Sequence, residues 1–169
     1  MKRLTMMLTL LLAVLGSVYV AASALATDPS GVVTLPYAVG HFDSIDSTTK
    51  TDMNPGAATD FWQARINTKG ASDVYMLQNT IKPGGTFGWH SHPGPSLVIV
   101  KSGTATFYLA SDPTCTPHVV PTGSGFVDNG NDTHILNNEG NVDLVTVVVS
   151  IVPTGFARRI NQPAPSNCP

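Results

Sequence analysis

Three histidines carry the most definite chemistry in this sequence. His90 and His92 lie one residue apart in GWHSHPGPSLVIVKSG (88–103), and His134 opens a strand-like run further on. Side chains at i and i+2 of an extended strand project from the same face. Two imidazoles at that spacing can therefore meet at one metal ion, each about 2.0–2.1 Å from it. Alone, the pair proves little, because surface strands also carry paired histidines. Its frame is more specific: the Pro83-Gly84-Gly85 turn precedes it, Pro93-Gly94-Pro95 breaks the chain after it, and the apolar run Leu97 to Val100 leads to Gly103. With His134 the pair would form a facial three-nitrogen set, open to water or substrate on its other side. Imidazole suits Fe, Zn, Ni and Cu, and suits Mn less well without carboxylate help. The competing reading is three packed, hydrogen-bonded histidines in a fold that holds no metal.

The elements that must position these residues are short strands. From Phe61 the texture is runs of Val, Thr, Tyr and Phe broken by Gly, Pro and Asn. It predicts strands over 61–67, 73–81, 87–92, 96–101, 104–109, 118–120, 125–128, 133–137 and 142–152. Turn signals such as Lys69-Gly70, Ser102-Gly103 and Asn129-Gly130 separate them. The run VDLVTVVVSIV (142–152) is apolar on both faces and is expected to be a central strand. No mature stretch keeps a 3.6-residue period, so the fold class is all-β, a sandwich or a barrel. Residues 27–60, polar and turn-rich, read as an irregular N-terminal arm with one short strand at Val32 to Val39. Residues 61–157 read as the barrel domain, and the Pro-rich 158–169 as an extended tail.

The two histidine segments resemble the motifs of the cupin superfamily. The first motif, G-x5-H-x-H-x3,4-E-x6-G, maps onto Gly84, His90, His92, Ser96 and Gly103, with every spacing kept and the glutamate replaced by Ser96. The second, G-x5-P-x-G-x2-H-x3-N, maps onto Gly123, Asn129, Asn131, His134 and Asn138, with asparagine at the proline and second glycine positions. The resemblance spans about residues 73–152. It implies a double-stranded β-helix (jelly-roll) barrel with a divalent metal held near its centre by His90, His92 and His134. Serine is short and neutral, so water rather than Ser96 is expected at the glutamate's coordination position. Three neutral imidazoles would leave such an ion its full +2 charge, which favours an anionic, bidentate ligand. Some cupin dioxygenases acting on thiols or β-diketones use histidine-only sites, so the resemblance extends to an oxygenase reading; a shared fold does not by itself carry a shared function.

The rest of the chain sets the compartment and narrows the partners. Of 169 residues 42% are hydrophobic and 12% charged, and the net charge is −2. One domain with a proper core fits this length. No basic cluster lies between Lys2-Arg3 and Arg158-Arg159, which argues against nucleic acid as a partner. Residues 1–26 have the three parts of a secretory signal: Lys2-Arg3, an uncharged apolar stretch, and Ala24-Leu25-Ala26 as cleavage site. The expected mature chain begins at Thr27 and is secreted or periplasmic, with no membrane attachment; an uncleaved anchor is the alternative. In an oxidising compartment the two cysteines, Cys115 and Cys168, are expected to form a disulfide rather than ligate metal.

Other candidates have plainer readings. His41 and His118 fall in loop-like segments and are expected to be solvated. Phe87 and Trp89 alternate with the histidine pair and should pack on the opposite face. Tyr75, Gln78 and Arg65 could line a cavity, depending on register. Asp128 and Glu139 are carboxylates near His134 in sequence, either of them a candidate for the missing ligand but neither in a known pattern. No nucleophile elbow, phosphate loop or dinucleotide fingerprint is present. The leading function is a metal-dependent oxidoreductase of dioxygenase type, or an isomerase, acting on a small organic acid or diketone-like molecule. The alternatives are a non-catalytic module binding a small ligand or metal, and a structural extracellular protein with a vestigial pocket. A homodimer is compatible with each.

Overall fold

The computed structural model describes residues 26–54 and 61–168. The expected signal segment lies outside the described residues, apart from its last residue, Ala26. Twelve strands are present: β1 (Ser30–Phe42), β2 (Asp46–Asp52), β3 (Phe61–Asn67), β4 (Ser72–Thr86), β5 (His90–Ser91), β6 (Ser96–Ser102), β7 (Thr104–Leu109), β8 (His118–Pro121), β9 (Gly125–Asp128), β10 (His134–Asn137), β11 (Leu144–Pro153) and β12 (Ile160–Asn161). Ten form one antiparallel sheet with the central path β12-β5-β10-β4-β11-β6-β9. Strand β1 is added on β4, and β7 and β8 follow from β10. The sheet curls into a nearly closed barrel. Among the described residues no helix is long and apolar enough to cross a membrane.

Alternation builds the wall. On β11, Leu144, Thr146, Val148, Ser150 and Val152 are buried while the residues between them are half-covered. On β6, Ser96, Val98 and Val100 point inward, and Leu97, Ile99 and Lys101 face out. Strand β11 runs between β4 and β6, the central position expected from its sequence. Ile81, Val100, Ala105, Leu136 and Leu144 form one core cluster, and Leu77, Val98 and Val148 a second. Each of the Leu, Ile and Val side chains, fully removed from water, contributes roughly 1.5–3 kcal/mol. The Pro-Gly-Pro break lies against the end of β11, where any Cβ on Gly94 would run into the Ile151 carbonyl.

The N-terminal arm differs from its expectation. Instead of an irregular segment with a short strand, Ser30–Phe42 is a 13-residue strand paired with β4 over nearly its whole length. Its register shifts between Pro36 and Ala38. Val33, Leu35, Tyr37 and Val39 all remain exposed, so this strand lacks the one-sided polarity by which strands are read from sequence. Polar residues 46–52 pair with β3 in a separate two-stranded sheet, so 61–67 is a strand outside the barrel sheet.

The tail is tied down at several points. Strand β12 pairs with β5, setting Ile160 opposite Ser91 and Asn161 opposite His90. Gln162 N–H donates to the Trp89 carbonyl (2.9 Å), and Gln162 Nε2 donates to Ser91 Oγ (3.0 Å). Cys115 and Cys168 are joined in a disulfide across a sequence separation of 53. A loop of that size restricts the unfolded chain by about 4 kcal/mol on chain-entropy grounds. Denatured, unreduced protein should therefore show no titratable thiol, and reduction should lower the melting temperature. Two free thiols in protein from an oxidising host would contradict this.

Candidate metal centre

His90 is on β5, His92 follows in the turn after it, and His134 opens β10 opposite His90. All three are buried, at 4%, 6% and 7% exposure. One ligand atom from each lies within 4.8 Å of the others. Their ring centroids are 4.4 Å (His90–His134), 4.8 Å (His90–His92) and 5.5 Å (His92–His134) apart.

The orientation of the rings is set by backbone carbonyls. His90 Nδ1 is 2.8 Å from the Gly88 carbonyl, His92 Nδ1 is 2.5 Å from the Arg158 carbonyl, and His134 Nδ1 is 2.9 Å from the Asp132 carbonyl. A carbonyl can only accept, so each Nδ1 carries the proton and donates it. In a neutral ring the Nε2 lone pair is then bare. Burial pushes His90 down to about 2, with the charges of His134 and Arg159 adding to the effect. Burial also lowers His92, against the raising influence of the Arg158 carbonyl and Asp128. Both rings are held neutral at ordinary pH. Gly88 has φ +67° and lies against the Thr27 carbonyl, so a side chain there would displace the carbonyl that fixes His90.

A carboxylate borders the three histidines from strand β9. Asp128 Oδ2 lies 3.3 Å from His92 Nε2 and 3.8 Å from His134 Nε2, and the side chain is buried. Its other oxygen accepts from Gly130 N–H at 2.9 Å. Asp128 is the cross-strand partner of Ser96, the residue at the family's glutamate position. Ser96 is itself buried and shares a 2.8 Å hydrogen bond with Ser150 Oγ on the neighbouring strand. Asp128, one of the two carboxylates noted near His134 in the sequence, thus borders the three-histidine cluster from the strand next to the family's glutamate position. Glu139 instead accepts from the Tyr108 hydroxyl in an exposed pair.

The assembled set consists of acceptors. Bare imidazole nitrogens and a carboxylate oxygen in a buried space repel one another unless a proton or a metal ion stands among them. Imidazole nitrogen and carboxylate oxygen are together suitable ligands for Zn, Fe, Mn, Ni or Cu, so the residues present fit a divalent metal. Around them is a cavity of about 50 Å³, lined also by Asn79, Phe87, Val98, Phe126, Leu136, Thr146, Val148, Arg158 and Arg159.

Other residues sort clearly. Phe87 was expected on the face opposite the histidines. It lines their cavity, its ring 5.8 Å from that of His90, because Gly88 interrupts the strand and cancels the alternation. Trp89 is packed, 1% exposed. His41 binds Asp73 at the surface, and the exposed His118 stacks on Phe107. Gln78 faces outward, where it accepts from Tyr37 and Lys101. Tyr75 packs beside Leu77, Val98 and Val148, and Arg65 lies in the β2–β3 hairpin. Sequence reasoning missed Arg158 and Arg159 as cavity residues. Their doublet was visible, but its return to the site was not.

Residues 78–150 match the cupin domain family. No curated protein matches the chain. The chain is similar to a cupin-like protein of Thermotoga maritima (15% identity, 69% of this chain and 75% of that one, TM-score 0.47). It is also similar to an uncharacterised conserved protein with a double-stranded β-helix domain from Klebsiella pneumoniae (16% identity, 71% and 85%, TM-score 0.44). A third similar structure is the polyketide cyclase RemF of Streptomyces resistomycificus (14% identity, 56% and 63%, TM-score 0.46). Both histidine motifs lie within the matched segment, and residues 78–150 of this chain are a cupin domain.

Proposed function

We propose that this protein is an exported cupin that binds one divalent transition metal through His90, His92 and His134, with Asp128 as the adjoining carboxylate. The observation that carries the reading is the common orientation of the imidazoles: each Nδ1–H is committed to a carbonyl, and the Nε2 atoms of His92 and His134 face the Asp128 carboxylate. Such carbonyl anchors are the usual outer support of metal-binding histidines. When bound, the metal would supply Lewis acidity and a template for a small oxygen-donor molecule, in keeping with oxidation or isomerisation of an organic acid or diketone. The protein's own part is to keep His90 and His92 neutral and to hold the three rings in place.

A second reading, a binding module without turnover, also has support. Apart from the four candidate ligands and the two arginines, the cavity's polar lining is Asn79, Ser96 and Thr146, none of them an acid or base near neutral pH. If Asp128 is spent as a ligand, no general base remains beside the reacting position.

Two measurements test the site. Purified protein should hold one equivalent of a divalent transition metal, and His90→Ala/His92→Ala should hold none. Asp128→Asn should weaken metal binding by roughly tenfold or more, the scale seen when a metal's immediate support is removed. Full metal content in the double variant would overturn the assignment. The second measurement is the pH dependence of the metal-free protein. His90 has a folded value far below its unfolded 6.5, so the unfolded chain binds the extra proton and stability falls as pH drops below about 6.5. At pH 5 this one group should cost about 2 kcal/mol relative to pH 7. Chelated wild-type protein should show that loss in melting experiments and His90→Gln should show less. An equal loss in both would show that His90 is not held neutral.

A further inference from the structure

We infer that Arg158 and Arg159, brought to the histidine cavity by the strapped tail, bind the carboxylate of a small anionic ligand. The inference rests on reading this cavity as the functional site, although the ion pair itself does not need the metal.

Both arginines line the cavity together with the three histidines. Arg159 is partly tied to the protein: Nε donates to Asn161 Oδ1 (2.7 Å) and Nη2 to the Thr27 carbonyl (3.4 Å). Its Nη1 is buried and has no hydrogen-bond partner. Buried donors are nearly always paired, so an orphan at a cavity wall points to a partner that arrives from outside. The Arg158 guanidinium makes no ion pair or hydrogen bond among the described residues, and neither arginine has a carboxylate within ion-pair distance there.

The electrostatics agree. Both arginines share the cavity wall with the rings, and the Arg159 charge bears on His90 and the Arg158 charge on His92. Burial pulls Arg158 below its ordinary value, and burial with the Arg158 charge does the same to Arg159. Two partly buried cations share the lining with one carboxylate, Asp128, which already borders His92 and His134, while the Asp28 charge bears on Arg159 from outside the lining. The lining therefore keeps an excess positive charge before any metal enters. Guanidinium forks match carboxylates in shape and charge.

A cavity of about 50 Å³ holds on the order of four waters, enough for a carboxylate and the atoms next to it.

The test uses pyruvate as probe and pyruvamide as its uncharged counterpart. Calorimetric titrations would use the mature, disulfide-intact protein in chelated and zinc-loaded forms. Pyruvate should bind at least tenfold more tightly than pyruvamide in both forms. Arg158→Met and Arg159→Met should each weaken pyruvate at least tenfold with metal content unchanged, and Arg159→Lys should recover part of the loss. Arg158→Met guards against a folding artefact, since that guanidinium holds nothing else in place. Equal binding of the two probes, or undiminished pyruvate binding in both methionine variants, would overturn the inference. Pyruvate selectivity in a protein that takes up no zinc would sustain the arginine site while removing the metal reading; zinc uptake without selectivity would do the reverse.

Discussion

The site depends on three backbone carbonyls. The carbonyls of Gly88, Arg158 and Asp132 each accept a hydrogen bond from the Nδ1–H of one histidine and so decide which nitrogen of each ring is left bare. Without them a buried imidazole could turn or change tautomer, and the site would lose its common orientation. The carbonyls come from three places: the bend before β5, the tail, and the turn before β10. Each must be held to within the tolerance of a hydrogen bond. The disulfide, the β12–β5 pairing and the glycine at 88 all serve that end. The tail is thus part of the site twice over, through the Arg158 carbonyl on His92 and through the two guanidiniums at the cavity wall.

The barrel supplies the remaining geometry by register. Asp128, Ser96 and Ser150 occupy one cross-strand row over β9, β6 and β11. The serine at the family's glutamate position leaves room, and the aspartate on the next strand brings a carboxylate to the same region. The consequence for charge is direct. A divalent ion among three neutral imidazoles keeps two positive charges; beside an ionised Asp128 it keeps one. An anionic ligand would then gain less from the ion and more from Arg158 and Arg159.

Much of this was legible in the sequence. The strands from β6 to β11 fall within a residue or two of their expected bounds, because each has clear alternation between turn residues. The histidines were legible because i, i+2 spacing on a strand is a local property. Asn131, in place of a motif glycine, has φ +48°, a conformation that asparagine tolerates better than most residues. What was not legible depends on distance in the chain. Asp128 faces the histidines only through the β6–β9 register, and no local pattern marks it. Arg158 and Arg159 reach the cavity because the tail folds back onto β5. Phe87 was misplaced because alternation was carried through Gly88, where the strand is broken. Strand β1 was underestimated because both of its faces are largely exposed.

The central claim is that the three imidazoles hold one metal through Nε2. X-ray absorption at the edge of the metal bound to the purified protein tests it most directly. The account predicts three imidazole nitrogens, with metal–nitrogen distances of about 2.0–2.1 Å for zinc, and two in His134→Ala. A spectrum with no imidazole scattering, or one unchanged by loss of His134, would contradict it.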